Sequence, residues 1–123
     1  MTLREKQSKF AGMLGRLLVK AEEIESPLVI LCMYRGLSEQ QVMVSTGKSK
    51  TLESKHLVGL AVDVAFLEDI MDDGKITWSI DKYTPLGLFW ESFGGRWGGR
   101  FGDNPNTLKI EGWDAGHFEL NIY

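Results

Sequence analysis

The chain opens on an apolar stripe at helical spacing, formed by Leu3, Phe10, Leu14, Leu17, Leu18, Ala21 and Ile24. Thr2-Leu3-Arg4-Glu5 has the form of a capping box, with Thr2 as N-cap and Glu5 reaching back. Ser26-Pro27 ends the pattern, because the residue before a proline disfavours the helical region. The spacing therefore predicts one long amphipathic helix over residues 3–25, whose apolar face the rest of the chain must cover. Its charges are mixed rather than basic, so the expected use of that face is packing on its own domain and not on a membrane surface.

The remainder of the chain supplies strands and shorter helices. Leu28 to Tyr34 is a continuous apolar run of strand length, read as a buried strand that carries Cys32 as a small core hydrophobe. Ser38-Glu39-Gln40-Gln41 offers a second capping box for a short helix ending near Gly47. A second strand is expected at about residues 60–66, a turn at Asp72-Asp73-Gly74, and a further strand over 76–80. Thr84-Pro85 is read as the start of a helix running to about Phe93, with proline at the first helical position. A last strand is expected over 117–123. Helices and strands mix without regular alternation, which predicts an α+β fold. No repeat or linker divides the chain, so residues 1–123 are read as a single domain.

Composition narrows the classes of function. The net charge of −3 disfavours a nucleic-acid partner, which asks for a basic surface. One cysteine among 123 residues rules out an intramolecular disulfide and fits synthesis in a reducing compartment. Arg4, Glu5, Lys6, Lys9, Arg16 and Lys20 interrupt the N-terminal apolar residues too often for a secretory signal. No apolar stretch approaches the roughly 20 residues of a membrane span.

The chemistry-bearing residues gather around the chain's two histidines. In the strand expected from Leu60, one face carries Leu60, Val62, Val64 and Phe66, and the other Ala61, Asp63 and Ala65. Alanines on either side of Asp63 leave room for an ion beside it. His56 precedes it, with Gly59 allowing the chain to turn between them. In Asp114-Ala115-Gly116-His117, a tight turn brings the aspartate and histidine toward one site. His117 shares a strand face with Glu119, Asn121 and Tyr123. Two imidazoles and a carboxylate make a catalytic zinc site with a position left for water. The same set suits ferrous iron. Asp114 would then accept the water's proton and hand it to the leaving amine.

The stretch Ser54-x-His56-x-x-Gly59-x-Ala61-x-Asp63, followed by Asp114-x-x-His117, resembles the zinc D-Ala-D-Ala carboxypeptidase and L-alanyl-D-glutamate peptidase family, which includes phage endolysins. Tyr34-Arg35, Gln41, Gly47-Lys48-Ser49 and Trp97-Gly98-Gly99 fall in the family's order, so the resemblance spans roughly residues 28–120. It implies Zn2+ held by His56, Asp63 and His117, with Asp114 as general base. The base in several relatives is a glutamate, so aspartate here has a shorter reach. The resemblance further implies that Arg35 stabilises the oxyanion and that Ser54 lines the substrate pocket. The implied fold is a small domain with a central antiparallel sheet flanked by helices, of the Hedgehog and DD-peptidase kind. Residues 94–113 form a glycine-rich stretch that departs from the family's pattern.

Within that stretch, Gly94 to Gly102 interleaves arginines and aromatics with glycine. Such a pattern can stack on single-stranded nucleic acid. In an acidic chain the reading preferred is a mobile loop beside the cleft, with Trp97 as a packing or substrate-contact residue. The acidic group Glu68, Asp69, Asp72 and Asp73 lacks the spacing of a calcium loop and is read as a solvated turn. The function expected is hydrolysis of peptidoglycan stem peptides by a monomeric phage endolysin with L-alanyl-D-glutamate endopeptidase activity. It would wait in the cytoplasm of the infected host until lysis exposes the cell wall. A D-alanyl-D-alanine carboxypeptidase and a non-catalytic zinc-containing binding module are the alternatives. An iron oxygenase barrel is disfavoured by the long N-terminal helix.

Overall fold

Helix α1 spans Leu3–Glu23 and begins with the capping box its sequence predicts. The Thr2 hydroxyl accepts from the Glu5 N–H at 3.1 Å, and the Glu5 carboxylate accepts from the Thr2 N–H at 3.5 Å. At the other end the Ser26 N–H donates to the Ala21 carbonyl at 2.9 Å, and the Glu25 N–H to that of Glu22 at 3.0 Å. This is the paired closure of a Schellman motif. Its left-handed position is filled by Glu25, at φ 62°, rather than by glycine. Phe10, Met13, Leu14, Leu17 and Ala21 are the buried face. Leu3 and Ile24, at the ends of the predicted stripe, are exposed, while Met13 joins the core.

The computed structural model describes residues 1–33, 45–46, 58–101, 112 and 114–120. Among them the strands form one four-stranded sheet in the order β1-β2-β4-β3, antiparallel at every junction. β1 is Leu28–Cys32, β2 Ala61–Phe66, β3 Gly95–Trp97 and β4 His117–Leu120. Two further helices, α2 (Leu67–Asp72) and α3 (Ile80–Glu91), lie between β2 and β3, and Gly98–Arg100 makes one 3-10 turn. Leu60, Val62, Val64 and Phe66 are fully buried on the face their alternation predicts, against Phe10, Leu14 and Leu17 of α1. Trp90 of α3 sits edge-on to both Phe10 and Phe118, and its indole N–H donates to the Glu119 carbonyl at 2.8 Å. This is a helix-covered antiparallel sheet, the α+β architecture expected.

Local differences have physical causes. β1 lies at the sheet edge, so Ile30 and Leu31 are partly exposed rather than buried, and Cys32 is half-buried. No strand forms over 76–80; instead α3 starts at Ile80, and Trp78 stacks on Tyr83. Pro85 therefore sits inside the helix and not at its first position. Residues 67–72 form α2, and two of its acidic side chains find a cation. Lys82 bridges Glu68 at 2.8 Å and Asp69 at 2.7 Å. That contact holds the Asp69 carboxyl below its usual range. The Gly95–Trp97 segment is an edge strand paired with β4 rather than a loop. The short helix expected near residues 38–47 lies almost wholly outside the described residues.

Candidate active site

The sheet register assembles the site. Asp63 in β2 and His117 in β4 are a cross-strand pair, so both side chains rise from one face. The His117 Nδ1 lies 2.8 Å from Asp63 Oδ1. A four-residue turn, Asp114 to His117, closes with the His117 N–H donating to the Asp114 carbonyl at 3.0 Å. It brings Asp114 Oδ2 to 3.9 Å from the same Nδ1. The turn is anchored from below by the Asp114 N–H donating to the Gly98 carbonyl at 3.2 Å. A Cβ at Gly98 would fall on the Asp114 carbonyl and crowd the His117 Cβ, so this position requires glycine.

Burial is graded across the cluster. The His117 side chain is 8% exposed, that of Asp63 26% and that of Asp114 38%. The imidazole forms the floor and the two carboxylates open toward solvent. Behind the ring, Nε2 lies 2.8 Å from Glu119 Oε1, and Glu119 is itself buried. Phe101 covers another flank, its ring centre 5.4 Å from that of His117. Burial presses the His117 pKa down. The hydrogen bonds to Asp63 and Glu119 and the nearby Asp114 charge outweigh it and raise the pKa to about 9. The cluster thus attracts a positive charge at Nδ1.

The donor set answers to a metal ion. One ligand atom from each of Asp63, Asp114 and His117 lies within 4.8 Å of the others. Imidazole nitrogen with carboxylate oxygen suits zinc, and a second carboxylate beside the metal is what hydrolysis needs as a proton acceptor. Three of the residues expected from the sequence are therefore brought together: Asp63, Asp114 and His117. His56, Arg35 and Ser54 lie outside the described residues. Of the two uses expected for Trp97, packing or substrate contact, the structure places it in packing. It is fully buried, donates its indole N–H to the Ala115 carbonyl at 2.7 Å, and packs where any Cβ at Gly87 would clash. Glu119 was missed as a site residue, although its place two residues after His117 on the same strand face signals it.

A carboxylate–imidazole pair able to hold a metal, flanked by a more exposed carboxylate on a solvent-open sheet face, is the kind of site a metallohydrolase uses. Residues 47–120 match the D-alanyl-D-alanine carboxypeptidase family, well over half of the chain, and the chain belongs to that family of zinc-dependent, peptidoglycan-acting peptidases. Among solved structures it is similar to the Serratia marcescens L-Ala D-Glu endopeptidase ChiX. Identity there is 32%, coverage is 78% of this chain and 68% of that one, and the TM-score is 0.54. The vancomycin-resistance D,D-pentapeptidase VanY from the VanB-type cassette, solved with Zn(II), shares the fold. Identity is 19%, coverage 91% and 70%, and the TM-score 0.58. VanYB in complex with D-alanine-D-alanine gives 18% identity, 91% and 69% coverage, and a TM-score of 0.58. No curated protein sequence matches the chain.

Proposed function

We propose that this peptidase cuts the L-alanyl-D-glutamate bond of peptidoglycan stem peptides and serves as a phage endolysin. The observation that carries the chemistry is the Asp63–His117 pair with Asp114 beside it. What supports the choice of bond is the 32% identity to an L-Ala D-Glu endopeptidase, against 18–19% to the D,D-peptidases.

In this reading Asp63 and His117 hold zinc, with His56 as the third ligand implied by the family motif. Bound zinc supplies Lewis acidity toward a peptide carbonyl and toward water. Asp114, the most exposed of the three side chains, accepts a proton from the attacking water and returns it to the leaving amine. Its carbonyl and N–H are both held in backbone hydrogen bonds, so the carboxylate swings only about its own side-chain torsions. Arg35 stabilises the developing oxyanion and Ser54 lines the pocket, as the family motif implies.

The endolysin setting belongs to the same proposal: a monomer held in the cytoplasm of the infected host, reaching the wall at lysis. Digestion of purified peptidoglycan, with and without chelator, tests the reaction. Fragment masses that place the cut between L-alanine and D-glutamate, lost with chelator and restored by zinc, are the expected result. Release of terminal D-alanine alone would favour the D,D-carboxypeptidase activity after which the family is called. Zinc at one per chain with no release from any wall would point to a binding module.

A further inference from the structure

The buried carboxylate of Glu119 takes no part in the proton transfer assigned to Asp114, yet it is placed against the site. It is 6% exposed, and its Oε1 lies 2.8 Å from His117 Nε2. Its other oxygen lies 3.8 Å from the Arg96 guanidinium, across the β3–β4 register pair Arg96↔Glu119. Arg96 in turn lies over the Phe101 ring, 4.6 Å from its centre, and Phe101 leans on His117. Three strands, β2, β4 and β3, thus place Asp63, then His117, then Glu119 and Arg96 in one continuous chain of contacts.

We infer that Glu119 is a positioning residue that fixes His117 as an Nδ1 metal ligand. This rests on zinc being held by Asp63 and His117. A neutral imidazole has one N–H and one lone pair, and which nitrogen carries which is set by the partner of the other. A carboxylate accepts and does not donate, so Glu119 keeps the proton on Nε2 and turns the lone pair of Nδ1 toward Asp63 and Asp114. Its negative charge also raises the basicity of the ring, as carboxylates behind metal-bound histidines do. Because Glu119 is buried and Arg96 faces only its second oxygen, the ring cannot rotate or change tautomer without leaving Oε1 a buried acceptor with no donor from the ring.

The test is zinc affinity, read by competition with a chromophoric chelator and so independent of peptidase activity. Glu119→Ala is expected to weaken zinc by roughly 10–100-fold. Glu119→Gln keeps an acceptor at the same place and should recover part of that loss. Zinc binding by Glu119→Ala as tight as in the parent chain would overturn the inference. A parent chain that itself binds no zinc would instead remove the zinc site on which the inference rests, so the two failures are told apart. Should the alanine variant not fold, nitrogen-15 spectra of the zinc-loaded parent decide the matter. With two histidines in the chain the assignment is short. A proton on Nε2 of His117 is the expected result, and a proton on Nδ1 overturns the inference.

Discussion

Asp63 and His117 face each other across β2 and β4 as a register pair, Oδ1 to Nδ1 at 2.8 Å, although 54 residues separate them in the chain. Their closeness comes from strand pairing rather than from a loop, so an ion held by the proposed pair would be positioned by the same hydrogen bonds that hold the sheet. Substituting either residue should remove the metal and leave the sheet. His117→Ala and Asp63→Ala are expected to lower zinc content well below one per chain, with far-ultraviolet circular dichroism unchanged. Full zinc occupancy by elemental analysis in either variant would refute the assignment.

Asp114 is set apart by its exposure and by its longer 3.9 Å approach to Nδ1. If it moves the proton rather than holding the ion, Asp114→Ala keeps its zinc and loses turnover by roughly 10²–10⁴-fold. A variant that loses both together would make Asp114 a ligand.

The charge on His117 gives the metal-free protein a pH dependence with a definite sign. The folded pKa of about 9 lies above the ordinary 6.5, so the stabilisation is complete below about pH 6.5 and is lost as pH rises through about 9. The thermal midpoint of the metal-free protein should fall across that window. Zinc must displace the same proton, so its apparent affinity should climb over the same range. Calorimetric titrations at several pH values check both, and a pH-independent affinity would contradict the protonated state.

Trp97 separates packing from substrate contact. Truncating a fully buried tryptophan costs about 3–5 kcal/mol, so Trp97→Ala should lower the urea midpoint by a large fraction of the whole stability. Trp97→Phe, which loses the bond to the Ala115 carbonyl, should cost less and leave KM unchanged. A raised KM at full stability would return Trp97 to the substrate pocket.

The end of α1 offers a gain. Glu25 holds a φ of 62°, which costs a residue with a Cβ about 1–2 kcal/mol relative to the right-handed region. Glu25→Gly should recover about 1 kcal/mol, read as a higher thermal midpoint, since the Schellman bonds stay in place.

Much of this architecture is legible in the sequence wherever a local rule governs. The capping box at Thr2 and Glu5, the alternation from Leu60 to Phe66 and the Asp114-to-His117 turn all act over a few residues, and each forms as read. The departures depend on partners far away in the chain. Residues 76–80 carry strand-like composition but pair with no strand among the described residues, and α3 begins at their end. Gly95 to Trp97 looks like a loop until β4 pairs with it, and that pairing turns Trp97 into the core. For Glu119 the sequence offers only a shared strand face with His117, and the fold adds that its carboxylate reaches back to the ring.

The span between Asp63 and His117 carries one more consequence. A chain with a single cysteine cannot tie distant segments covalently within itself. An ion gripped by both residues closes a loop across 54 positions of sequence, the topological service a disulfide performs elsewhere. Such a clasp opens and shuts with the supply of metal. Removing zinc would then open that clasp as well as silence the chemistry, and because the ion favours the folded chain, resistance to heat and to proteolysis would follow the free zinc concentration.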